Sequence, residues 1–298
     1  MNDSNIVRNK FQEPMLKQVG GKRWARDFIY EFWKKNGSSV LVEPFAGGIA
    51  SILACSPQKA YAFDTNIHLV NFYNKVRTGL IIDMPTNNNS EYYYMARDRF
   101  NHLIREGKDD SEAAAKLYYY LNKTCYNGLM RFNRKGFYNT PFGSYKNLQY
   151  KEHFLNEQDA IQNIEFLSCD FRDIPVEIMP EDTTWVIDPP YYGTSFDYGL
   201  CKFTWEDQLE SIEWAAKLKG PVLYTNTADP EIIKNLKRLG FKTQIVLKKH
   251  TVGASSESRK EFKEVFAWKN AELPDMYPEG SDWKKTMKKR SALAKKIK

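Results

Sequence analysis

Towards both ends of this 298-residue chain, short apolar runs alternate with helical stretches, and several of the runs stop at an acid. Ser39-Val40-Leu41-Val42 reads as a buried strand entering the turn Glu43-Pro44-Phe45-Ala46-Gly47-Gly48, with an apolar helical stretch at 49–54 behind it. A second strand at 59–63 ends at Asp64, and 69–76 reads as a helix. Strand-like runs return at 164–168, 184–187, 222–225, 241–247 and 265–268. A helix opens at Thr204, where Asp207 completes a capping box, and its apolar stripe is Leu209, Ile212 and Ala216. Strands alternating with helices pack as a largely parallel sheet covered on both faces, so the expected fold class is α/β.

The middle of the chain breaks this rhythm. From about 91 to 123 acids, bases and aromatics recur at helical spacing. From 126 to 145, glycines at 128, 136 and 143, Pro141 and many aromatics and bases predict loops and a hairpin. This segment reads as an insertion of roughly 75 residues. The net charge of +7 is concentrated at one end: residues 284–298 hold eight Lys or Arg and no acid, which leaves the remainder near neutral. Such a tail adds sequence-independent attraction to phosphate, and it reads equally well as a solvated terminus.

Several classes are disfavoured. The chain has no run of about 18 uncharged apolar residues, so a membrane span is not expected. Its first ten residues are polar and lack the apolar core of a secretory signal. The four cysteines form no C-x-x-C pair and the four histidines are scattered. A disulfide framework and a metal site are therefore not expected, and a reducing cytoplasm is the expected location.

Two constellations carry chemistry. The glycine turn at 47 and 48 lets a ligand approach the backbone, and the helix behind it offers free amides. Asp64, at the end of the next strand, stands where an acid grips ribose hydroxyls in nucleoside-binding α/β folds. The turn is not G-x-G-x-x-G, which argues against a dinucleotide oxidoreductase. The sharper signal is Asp188-Pro189-Pro190-Tyr191 after the strand Thr184-Trp185-Val186-Ile187. It places an acid at a strand's carboxyl end, two prolines that fix φ and donate nothing, and a flat ring for stacking. A carboxylate and a backbone carbonyl can accept both protons of an exocyclic amine, freeing its lone pair for attack.

Taken together, these residues resemble the Dam-type (D12 class) DNA adenine N6-methyltransferase family over about residues 14–269. Leu16-Lys17-Gln18-Val19-Gly20-Gly21-Lys22 is similar to the family's K-W-A-G-G-K. Val42 to Gly48 followed by Asp64 matches the cofactor loop, and the D-P-P-Y is intact. Tyr126-Asn127-Gly128-Leu129-Met130-Arg131-Phe132-Asn133, then Gly136, Asn139 and Pro141-Phe142-Gly143, matches the recognition hairpin.

The resemblance implies a Rossmann-like methyltransferase sheet with an inserted helical and β-hairpin target-recognition domain. Residues 1–77 and 160–270 would bind S-adenosylmethionine and carry catalysis, 78–159 would read DNA, and 271–298 would be a basic tail. Asp188, Pro189, Pro190 and Tyr191 would be catalytic. Gln18, Lys22, Glu43, Pro44, Phe45, Gly47, Asp64, Asp170, Phe171 and Asp188 would surround the cofactor. Gln18 departs from the family's Trp, so an aromatic contact to the cofactor is lost there.

Lys17, Tyr126, Asn127, Leu129, Arg131, Asn133 and Pro141 would meet double-stranded DNA. Arg131 would read a guanine edge, Leu129 and Pro141 a thymine methyl, and Lys17 a flanking guanine. That set matches readers of GATC, with the adenine flipped out of the stack. The implied protein is bacterial or phage-encoded, cytoplasmic and nucleoid-associated, needs no metal, and is monomeric in solution with room for further copies on DNA. Two other readings stay open: a non-catalytic DNA-binding protein on the same scaffold, and an adenine methyltransferase acting on RNA.

Overall fold

Four residues, all apolar or β-branched except Glu43, suffice for each of the two central strands, β1 (Val40–Glu43) and β4 (Thr184–Ile187), because both are buried along their whole length. Around them lie β2 (Lys59–Asp64), β3 (Ile164–Ser168), β5 (Val222–Thr227), β6 (Lys242–Lys248) and β7 (Phe262–Lys269). The computed structural model describes residues 11–18, 20–85, 87–192, 203–248 and 262–274; Val19 and the basic run at 284–298 lie outside them. Among the described residues the strands form one sheet in the order β3-β2-β1-β4-β5-β7-β6. The first five are parallel neighbours, and β7 runs antiparallel to both β5 and β6. The sheet is of the Rossmann-like kind, and its strand order reverses between β1 and β4, which opens a crevice at their carboxyl ends.

Alternate strand residues point to opposite faces, and both faces are covered. Val42, Trp185, Ile187 and Tyr224 share a core with Ile212 of α7 (Trp205–Ala216) and Leu236 of α8 (Pro230–Arg238). Leu41, Val186, Leu223 and Phe266 face the other way, towards α1 (Arg26–Asn36), α2 (Ala50–Cys55) and α3 (Ile67–Arg77). The capping box at Thr204 and Asp207 is present. The inward face of α7 differs from the expected stripe: Gln208, Ser211, Ile212 and Ala215 are buried. Two polar residues are tolerated there because they bond one another and Tyr224, with Gln208 Nε2 and Ser211 Oγ each 2.8 Å from its hydroxyl.

The long helical stretch of the middle is two helices, α4 (Ser90–Arg105) and α5 (Glu112–Thr124). Gly107 at φ 65° ends the first turn of chain after α4, and Ser111 caps α5. A hairpin follows, in which Phe132 pairs with Tyr138 and Gly136 N–H bonds Asn133 O at 2.8 Å. The short α6 (Leu155–Ala160) leads back to β3. These elements share the core of α3: Phe72 stacks on Tyr119 with centroids 5.6 Å apart and planes 4° from parallel.

Candidate active site

Val42 pairs with Trp185, so Glu43 and Asp188 emerge together at the carboxyl edge of the sheet. A cavity of about 390 Å³ opens there. It runs from the glycine turn at 47 and 48, past Asp188 and Tyr191, to Leu129 and Arg131 at the base of the hairpin.

The D-P-P-Y end of the cavity is held by a buried ammonium. Residues Lys22–Ala25 form one helical turn before α1, and Lys22, only 4% exposed, points from it beneath the D-P-P-Y turn. Its Nζ lies 2.6 Å from Asp188 Oδ1 and 2.8 Å from the Tyr191 hydroxyl. Thr225 of β5 also donates to Asp188 Oδ1, at 2.8 Å. The hydrogen bonds from described residues thus converge on Oδ1, while the Asp188 side chain stays 24% exposed. The Tyr191 hydroxyl reaches Glu264 Oε2 of β7 at 3.2 Å, and Lys22 approaches the same oxygen at 3.6 Å.

The other end is built from β1 and β2. Gly47 sits at φ 46°, and nothing stands within 4 Å of where its side chain would be, so its backbone faces open space. Asp64 fixes this turn: Oδ2 accepts from Gly47 N–H at 3.0 Å and Oδ1 from Asn66 N–H at 2.9 Å. Burial pushes the Asp64 carboxyl above its ordinary value, and those two amide bonds oppose the rise. Glu43 is 5% exposed, and its Oε2 has no partner among the described residues. Burial pushes its carboxyl up to about 8; hydrogen bonding to Ser51 pulls the other way, and the neighbouring Asp188 charge adds to the rise.

A strap of the N-terminal segment joins this cavity to α5. Lys17 and Asn122 bond one another's backbone and amide groups, and Gln18 then packs over Gly48, whose Cβ position is 3.4 Å from Gln18 Cγ. Lys17 Nζ donates to Lys123 O at 2.8 Å and lies 3.6 Å over the Tyr145 ring.

The sequence pattern of the D12 class N6 adenine-specific DNA methyltransferases matches residues 19–263. The chain belongs to this family. Among relatives of this D12-class enzyme, the Retron Ec67 DNA adenine methylase of Escherichia coli is 31% identical over 240 residues, 76% of this chain and 81% of that protein. The DNA adenine methylase of a Vibrio cholerae strain is 28% identical over 275 residues, 87% and 96% of the two chains. The type II methyltransferase M.MjaIII of Methanocaldococcus jannaschii is 27% identical over 282 residues, 84% and 96% of the two chains. A solved precorrin-6y C5,15-methyltransferase of Geobacter metallireducens superposes loosely, at TM-score 0.38 and 10% identity over 88% of this chain and 96% of its own.

The expected residues of this DNA adenine methyltransferase fall into three groups. Gln18, Lys22, Glu43, Phe45, Gly47, Asp64, Asp170 and the whole D-P-P-Y line one cavity. Leu129 and Arg131 reach it from the hairpin, although Leu129 is mostly buried. Tyr126, Asn127 and Pro141 are exposed beyond it.

Others are occupied differently. Phe171 is buried, its ring 5.4 Å from Phe45 and 5.7 Å from Trp214, so Phe45 stands between it and the cavity side. Pro44 is not part of the lining. Asn133 Oδ1 accepts from Lys135 and Phe137 N–H at 2.9 and 3.1 Å, which shapes the hairpin turn itself. Lys17 is bonded inward, as described. Three contributors were missed: Thr225, Glu264 and Asn122. Each is a polar residue at a buried position, and only the three-dimensional pairing shows what it faces. No group of three or more metal-ligating side chains occurs among the described residues, and none of their helices is long and apolar enough to cross a membrane.

Proposed function

We propose that the chain methylates the exocyclic amine of an adenine extruded from GATC in duplex DNA, with S-adenosylmethionine as donor. The observation that carries this reading is the single cavity linking the glycine turn to Asp188 and onward to Arg131. Its volume lies within the range of small-molecule sites. The lining suits such a donor: an open backbone at Gly47, an ordered acid at Asp64, and Glu43 with an oxygen that has no described partner.

S-adenosylmethionine supplies an activated methyl on a sulfonium, so the chain has only to present a nucleophile in line. Residues 78–159, treated as the recognition insertion, set the register on the duplex, with Arg131 reading a guanine edge and the exposed Tyr126 and Asn127 at the disrupted step. The adenine leaves the stack because its amine is unreachable inside the helix. Tyr191, anchored at its hydroxyl, offers its ring to the base. Asp188 and the Pro189 carbonyl accept the two N–H groups, which draws the nitrogen lone pair out of conjugation. Methyl transfer would release the donor's sulfur as a neutral thioether and leave the amine cationic beside Asp188, whose carboxylate would take one proton and pass it to solvent. Lys22 and Thr225 hold the carboxylate in one orientation throughout, so positioning supplies most of the rate.

The test is incubation of the purified chain with S-adenosylmethionine and duplexes that carry GATC or the same bases scrambled. N6-methyladenine should form in the first duplex alone. No N6-methyladenine in any duplex would sink the activity, and equal yields from both would sink the site.

A further inference from the structure

β7 is the strand that reverses direction, so its first residues arrive at the same sheet edge as the last residues of β4 and β5. Thr227 at the end of β5 pairs with Glu264 near the start of β7. Alternation along β7 puts Glu264 on the same side as Phe266, a core residue, and Glu264 is itself only 6% exposed. A carboxylate buried in a row of apolar positions is costly unless it is paired. Here its Oε2 stands 3.2 Å from the Tyr191 hydroxyl and 3.6 Å from Lys22 Nζ.

We propose that Glu264 is a positioning residue for methyl transfer, acting through Lys22 and Tyr191. This rests on the reading of the cavity given above. Lys22 stands between two carboxylates, bonded to Asp188 at 2.6 Å and held back by Glu264. The Tyr191 hydroxyl sits among all three groups, within 2.8 Å of Lys22, 3.3 Å of Asp188 and 3.2 Å of Glu264. With Glu264 in place the ring is tethered at its far end, and its face is set for the base before the base arrives. Without that charge the ammonium is free to settle wholly on Asp188, and the hydroxyl loses its anchor on β7. The base platform and the amine acceptor then lose their mutual geometry. Glu264 touches neither base nor donor, so the cost falls on turnover more than on binding.

The test is a kinetic cycle with Glu264→Gln, Tyr191→Phe and the double variant, using duplex DNA and S-adenosylmethionine. Glu264→Gln keeps the side chain's shape and should lower kcat about tenfold while KM for DNA and donor stay within about twofold. In the Tyr191→Phe background the same change should cost less than about threefold, because the hydroxyl through which it acts is gone. A variant with wild-type kcat, or costs that multiply in full, would overturn the proposal. So would a fall in melting temperature that accounts for the lost activity. A wild-type chain inactive on every duplex would instead fault the functional reading, so the two failures are distinguishable.

Discussion

Asn122 and Lys17 hold each other by a reciprocal pair of hydrogen bonds: Lys17 N–H donates to Asn122 Oδ1 at 2.8 Å, and Asn122 Nδ2 donates to Lys17 O at 2.9 Å. A fully buried side-chain amide thus serves the N-terminal segment as a neighbouring strand would. It joins α5, which leads into Tyr126 and Asn127, to the segment that lays Gln18 on Gly48.

Replacing Asn122 by alanine leaves one donor and one acceptor of the half-buried Lys17 backbone without their partner. The expected destabilisation is about 1–3 kcal/mol, read by urea unfolding. Because Gln18 loses its tether, donor affinity should weaken as well. A variant with wild-type stability and donor Kd would show that the strap is held by its other contacts alone.

Asp188→Asn preserves shape and removes the carboxylate charge and half of its accepting capacity. Turnover should fall by roughly 10²–10³-fold, in line with the loss of one preorganised polar contact to a transition state. Circular dichroism and melting temperature should change little. Turnover within tenfold of wild type would remove Asp188 from the proposed mechanism.

Glu43 links stability to pH. Its folded-state carboxyl lies near 8, against an ordinary value of 4.5, so between those values the folded chain holds a proton that the unfolded chain releases. The stability contributed by this group is complete below about pH 4.5 and is lost as pH rises through about 8. Without added donor, the wild type should therefore lose stability across that window relative to Glu43→Gln. Parallel curves for the two proteins would contradict this assignment.

Arg131→Ala tests sequence reading. If Arg131 grips a guanine edge, the substitution costs about 1–3 kcal/mol of discrimination at that base pair and leaves the other positions of the site unaffected. Methylation of duplexes with single base changes reports this directly. A uniform loss on all duplexes would mean that Arg131 contacts phosphate instead.

Most of the cavity's D-P-P-Y end and glycine turn was legible because those residues are contiguous in the sequence. Asp188 to Tyr191 needs only the strand before it, and the glycine turn needs only the strands ending at Glu43 and Asp64. The seven strands showed through as short apolar runs for the same reason. α1 and α8 are absent from the sequence reading although their signals are present: apolar Phe28, Ile29 and Phe32 in one, the Asp229 cap and Pro230 in the other. Glu264 was hidden because it sits just before the apolar run Val265-Phe266-Ala267-Trp268, where an acid reads as the end of a strand. Hydrophobicity alone points to Leu209, Ile212 and Ala216 as the inward face of α7, whereas Gln208 and Ser211 are buried to meet the hydroxyl of Tyr224. The resemblance sets Phe171 beside the cofactor, and sequence alone does not show that its ring packs with Phe45 and Trp214.

The reversed strand β7 has a consequence for biosynthesis. Among the described residues, β6 borders no other strand of the sheet, so it has nowhere to dock until β7 slots in between it and β5. On the ribosome the first five strands emerge with their aspartate and tyrosine already encoded, yet the wall that steadies them arrives last. The Tyr191 hydroxyl therefore has Lys22 beside it from early in synthesis, but it gains its Glu264 partner only once translation has passed β7.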